Sequence, residues 1–139
     1  MKKESLTFGK ILKMPLDESE GIKLLHGVKD RDKYITVIGI STDYASVGSL
    51  LINSKVNPTH KNTKELKDCQ VQLKREDYPF LKHDSYLDCS SIMKPEIVKV
   101  LSIAEDVSEL TTEDKGIAKK TLLNSQLISP KEKKRYNII

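Results

Sequence analysis

Lys33-Tyr-Ile-Thr-Val-Ile-Gly-Ile-Ser41 decides the fold. The run is rich in β-branched residues and nearly unbroken in apolar character, the pattern of a central strand buried on both faces. Toward the N-terminus, residues 6 to 16 form a second strand that Pro15 ends or pushes to a sheet edge. Residues 17 to 32 read as a loop, with Gly21 and Gly27 as breakers and one helical turn around Ile22 to Leu25. Toward the C-terminus, a turn-prone Thr42 to Gly48 leads into a strand over Ser49 to Val56, which Asn57-Pro58 stops. A long hydrophilic loop follows. Cys69 to Leu73 then pairs as a hairpin with Phe80 to Cys89 across a turn at Glu76 to Pro79.

In that last strand, charged, hydroxyl and aromatic groups alternate. Side chains of a strand point to opposite faces in turn, so Lys82, Asp84, Tyr86 and Asp88 line one side. Leu81, His83, Ser85, Leu87 and Cys89 line the other, the side suited to a core. Four or five short strands separated by turns argue for a small barrel or a strongly curled sheet.

The last third changes period. Thr111 or Thr112 caps a helix whose positive end carries Glu113 and Asp114. Leu110, Ile117, Ala118, Thr121 and Leu122 recur at helical spacing and form the stripe laid against the sheet. Ser129-Pro130-Lys131-Glu132 has the form of a capping box with proline in the first turn, opening a short basic terminal helix. The expected organisation is one α+β domain, mainly β, with a barrel core over about 6–103 and a helical segment over about 108–137.

Composition narrows the function. With 139 residues, 37% apolar and 32% charged, the chain suits one modest core, and no apolar run approaches the ~20 residues that span a bilayer. Lys2 and Lys3 are followed by Glu4 and no continuous apolar segment, so the expectation is a cytoplasmic protein without a cleaved leader. Cys69 and Cys89 are too few and too far apart for a disulfide scaffold or zinc site. Isolated Gly39 and Gly48 give no phosphate loop, so neither cofactor nor metal is expected. The net charge of +4 is mild, but basic residues gather at Lys55 to Lys67, at Lys74-Arg75 and at Lys131 to Arg135, as in proteins that meet phosphates. Each cluster alone is more often a solvated loop or helix end.

The order of these features resembles the MazF and PemK toxins. Leu81-Lys-His-Asp-Ser-Tyr-Leu-Asp-Cys-Ser-Ser-Ile is similar to the family's late strand, and Val107-Ser-Glu-Leu-Thr-Thr-Glu-Asp to the segment that opens its last helix. The resemblance spans roughly residues 30 to 128. It implies a small SH3-like curled barrel of about five strands, packed by one longer helix and a short terminal one. It also implies a metal-independent endoribonuclease of a toxin–antitoxin pair, cleaving single-stranded RNA. The implied partners are that RNA, a small acidic antitoxin and a second copy of the chain. The family's arginine before the central strand and threonine at the end of the next correspond to Arg31 and Ser54. Where the family has proline after the arginine, this chain has Asp32.

On that reading the ribose 2'-hydroxyl attacks the adjacent phosphate, and the protein supplies base, acid and charge stabilisation. Arg31 stabilises charge, the Ser54 hydroxyl holds a phosphate oxygen, and His83 is the candidate base. Lys55, Lys61, Lys74, Arg75, Lys82 and Tyr86 are the candidate RNA contacts. Plainer readings stand beside these. Arg31 pairs with Asp30 or Asp32, Ser54 bonds local backbone, and a histidine among apolar side chains is more often structural than catalytic. The competing function is a barrel without catalysis that binds nucleic acid or a protein.

Overall fold

The computed structural model describes residues 1–54 and 63–139. The expected Lys55 and Lys61 contacts, and the end of the strand expected to reach Val56, lie outside the described residues. Among the described residues, six strands form one antiparallel sheet: β1 (Lys10–Leu16), β2 (Arg31–Ile40), β3 (Val47–Asn53), β4 (Gln70–Leu73), β5 (Ser85–Asp88) and β6 (Glu105–Glu109). Their order across the sheet is β4-β5-β3-β2-β1-β6. The α-helices among the described residues are α1 (Lys64–Asp68), α2 (Ile97–Ile103), α3 (Thr112–Asn124) and α4 (Pro130–Arg135). The architecture is the expected α+β one, a curled half-barrel sheet with a longer helix and a short terminal helix.

β2 is central as its composition requires. Ile35, Thr36, Val37 and Ile38 are all buried, β1 pairs on one side and β3 on the other. Register shifts at Ile11/Leu12 and at Val37/Gly39 break the ladders, and such irregularities bend a sheet and increase its twist.

Each face carries its own apolar cluster. Ile11, Ile38, Leu50, Ile52, Leu73 and Leu87 point to the first face, where Ala118 and Leu122 of α3 and Tyr136 after α4 close over them. Leu12, Met14, Leu16, Ile35, Val37 and Val47 point to the second face, covered by Leu6, Ile22, Met93 and Val100 of α2.

The caps of the last two helices follow the sequence. Thr111 Oγ1 accepts from the Asp114 amide at 3.1 Å, and Ser129 Oγ from the Glu132 amide at 3.2 Å, with Pro130 in the first turn of α4. Past α4, the buried Tyr136 places its hydroxyl 2.7 Å from Ser46 Oγ and its ring against Gly48. A Cβ on Gly48 would sit 2.5 Å from that ring, so the close approach needs glycine.

The structure corrects several expectations. The strand expected over Phe80 to Cys89 is regular only over Ser85–Asp88, because residues 80 to 84 turn, and the Asp84 carboxylate accepts the Arg75 amide at 2.8 Å to hold that turn. His83, expected among apolar side chains, is therefore exposed. The helical turn expected at Ile22 to Leu25 lies instead at Glu18–Glu20, where Asp17 and Glu20 form a reciprocal capping box. Ile117 is 43% exposed, outside the stripe expected on α3. A sixth strand, β6, joins the sheet edge beyond β1, held partly by the Lys10–Asp106 ion pair at 2.8 Å. Among the described residues, no helix is long and apolar enough to cross a membrane.

Candidate nucleic-acid interface

Antiparallel pairing brings the start of β2, the end of β3, the start of β5 and the end of β4 to one end of the sheet. The cross-strand pairs Ile35↔Leu51, Asn53↔Tyr86, Gln72↔Tyr86 and Leu73↔Ser85 fix this arrangement. Arg31 opens β2, Ser54 follows β3, His83 and Lys82 precede β5, and Lys74 and Arg75 follow β4. All six of these side chains are exposed. The end of the sheet is therefore shared by the expected catalytic trio and the described basic residues.

Its two faces divide them. Arg31 alternates with Lys33 and Ile35, and these lie opposite Leu16, Met14 and Leu12 of β1, so Arg31 belongs to the second face. Continuing the alternation of β3 by one residue gives Ser54 to the first face with Leu50 and Ile52. His83 lies in the turn ahead of β5, exposed, where strand alternation assigns no face. A guanidinium on the second face and a hydroxyl just past the end of β3 share a sheet end rather than a common strand face.

The second face of that end carries a polar row. Asn53 and Gln72 stand on either side of Tyr86 by direct pairing, and continuing the β2–β3 ladder two residues past Ile35↔Leu51 sets Lys33 beside Asn53. Lys33, Asn53, Tyr86 and Gln72 thus cross four adjacent strands, a span of ~14 Å at the usual strand spacing. None belongs to either apolar cluster; Gln72 is exposed and the other three are partly buried. The next row is internally satisfied: Gln70 Nε2 donates to Asp88 Oδ1 at 3.0 Å, and that oxygen also accepts the Ser90 amide at 2.9 Å.

The cations at the β2 end of the row have no ionic partner among the described residues. Among the described residues, no ion pair engages Arg31 or Lys33, and the alternative pairing of Arg31 with Asp30 or Asp32 is not formed. Partial burial holds the Lys33 ammonium below the usual lysine range, and the nearby Arg31 charge lowers it further. Two like charges on one strand face, one of them partly desolvated, favour an anion brought from outside. An aromatic ring on the same face can stack an unpaired planar group.

Other parts of the molecule offer less chemistry. Among the described residues, no group of three His, Cys, Asp or Glu side chains could hold a metal ion. Burial pushes the Cys89 thiol up to about 12, with the neighbouring Asp88 and Cys69 adding to the effect, so it is a protonated core group rather than a nucleophile. A cleft of about 350 Å³ between α1 and α3 is lined by Lys64, Glu65, Asp68, Lys120 and Asn124, with Cys69 Sγ 3.3 Å from Ser125 Oγ in its lining. Its charges are of both signs.

Strand alternation made Tyr86 a candidate in the sequence. Lys33, Asn53 and Gln72 were not candidates, since the row they share with Tyr86 appears only once three strand registers are known. The signal available in sequence was the alternation of Gln70 and Gln72 with buried Val71 and Leu73. No known protein-family model matches the chain, and no curated protein matches it.

Proposed function

We propose that this chain binds single-stranded RNA across the second face of its sheet, at the end where β2, β3, β5 and β4 meet. The observation that carries this is the placement of two cations without an ionic partner among the described residues, Arg31 and Lys33, on the same strand face as a row containing Tyr86. Phosphates supply the missing counterions, and an unpaired base supplies the planar group for the ring. Lys74, Arg75 and Lys82 at the same end extend the basic border.

A second reading is metal-independent cleavage by a toxin similar to MazF and PemK, inhibited by a small acidic protein and acting as a homodimer. It is favoured by the convergence of Arg31, Ser54 and His83 on one end of the sheet. The separation of Arg31 from Ser54, with His83 exposed in a turn, favours binding without cleavage.

One experiment tests both. Pure protein is titrated into fluorescent single-stranded RNA in the presence of a metal chelator, and the RNA is then sized. Saturable binding with intact RNA, weakened by Arg31→Ala, supports the binding module. Defined fragments that disappear in Arg31→Ala and Ser54→Ala support the toxin. Absence of binding by the unmodified chain overturns both.

A further inference from the structure

The polar row has an internal order that an electrostatic surface does not need. Tyr86 pairs directly with Asn53 on one side and with Gln72 on the other. Directly opposed residues hold their Cβ atoms ~5 Å apart, so the two amides bracket the ring across a gap of ~10 Å, a spacing comparable to the breadth of one nucleobase with its hydrogen bonds. A side-chain amide presents a donor and an acceptor together, the combination that reads the Watson–Crick edge of an unpaired base.

Neighbouring groups sharpen the assignment. One row along, the Gln70 amide is committed to Asp88. The exposed Gln72 amide, by contrast, donates no hydrogen bond among the described residues. Arg31 and Lys33 stand at the β2 end of the row and Lys74 follows Gln72 at the β4 end, so cations flank the amides and the ring on both sides.

Resting on the RNA-binding reading above, we propose that Asn53 and Gln72 are specificity-determining residues. They select one base type stacked on Tyr86, while Arg31 and Lys33 take the backbone irrespective of sequence. The site then prefers RNA with a particular unpaired base rather than RNA in general.

The test uses the full chain and four fluorescent five-nucleotide RNA homopolymers, of A, C, G and U, titrated at several salt concentrations in chelator. The unmodified chain is expected to favour one homopolymer over the weakest by roughly tenfold, the scale of a good amide–base contact. Asn53→Ala and Gln72→Ala are expected to shrink that preference to within about threefold while leaving the salt dependence unchanged. Lys33→Gln is expected to weaken all four by a similar factor and to lower the magnitude of the salt slope by ~0.7.

Equal binding of all four by the unmodified chain overturns the proposal, as does uniform weakening of all four by both amide variants. In either case RNA binding itself stands. If the unmodified chain binds none of the homopolymers and no mixed-sequence RNA, the RNA reading falls and this proposal with it. Gln72 is exposed, so Gln72→Ala keeps the test open if Asn53→Ala perturbs folding. Urea unfolding of each variant separates the two causes.

Discussion

The two faces of the sheet are built from the same strands and finished in different ways. On the first face, every inward side chain of β5 and β4 is apolar or small: Ser85, Leu87, Val71 and Leu73 are buried. The helices α3 and α4 complete the closure. On the second face, those strands present Tyr86, Asp88, Gln70 and Gln72, and among the described residues the apolar cover, from α2 and the N-terminal segment, lies over β1, β2 and Val47 of β3. Burial is therefore invested where it stabilises the fold. The half-face left polar is the one proposed above for recognition, with Arg31 and Lys33 at its β2 end and Lys74 at its β4 end.

If that division is right, substitutions should separate into those that unfold the chain and those that only change binding. The largest effect belongs to the closed face. Tyr136→Ala should cost about 3–5 kcal/mol in urea unfolding, because it empties a fully packed aromatic site over Gly48 and leaves the buried Ser46 hydroxyl without its partner. A loss below about 1 kcal/mol would show that the terminal segment does not close this face.

Next comes the open face. Tyr86→Ala should weaken single-stranded RNA binding by about 1–3 kcal/mol, the worth of one stacked base. Its effect on unfolding should be the smaller of the two, since the ring belongs to neither apolar cluster. Reversal of that order would place Tyr86 in the core.

Alkaline stability gives a middle-sized effect. The Cys89 thiol titrates near 9.0 when exposed and is pushed to about 12 by burial, so the folded state holds a proton that the unfolded chain releases. The contribution is complete below pH 9 and is lost as pH rises above it. The slope is at most ~1.4 kcal/mol per pH unit. Cys89→Ala should flatten the decline measured by urea unfolding between pH 9 and pH 10.5, relative to the unmodified chain. An unchanged slope would mean that the thiol is reached by solvent.

The smallest effect is the most telling for the division. Arg31→Gln should alter unfolding by no more than about 0.5 kcal/mol, because its exposed side chain has no ionic partner among the described residues. It should nevertheless reduce the salt dependence of RNA binding.

Much of the sheet was legible because apolar period and turn chemistry agree locally. The β-branched run of β2, the β4–β5 hairpin and the caps at Thr111 and Ser129 each rest on neighbouring residues. β6 was not legible: Glu105-Asp-Val-Ser-Glu109 is a poor strand by composition, and it pairs only because β1 offers an open edge and Lys10 a counterion. Ile117 has helical spacing but sits just off the side of α3 that carries Ala118 and Leu122. For the site, sequence located the end of the sheet through Arg31, Ser54, His83 and Tyr86. It could not show that one register places Lys33 and Asn53 beside Tyr86, nor that alternation sends Arg31 and Ser54 to different faces.

Whether RNA is met by the polar half of the second face is read by following amide and side-chain NMR shifts while unlabelled five-nucleotide RNA is added in chelator. The largest changes are expected at Arg31, Lys33, Asn53, Tyr86 and Gln72, with α3 and α4 unmoved. Changes centred on α3, α4 or the cleft beside α1, with that row silent, would contradict that expectation.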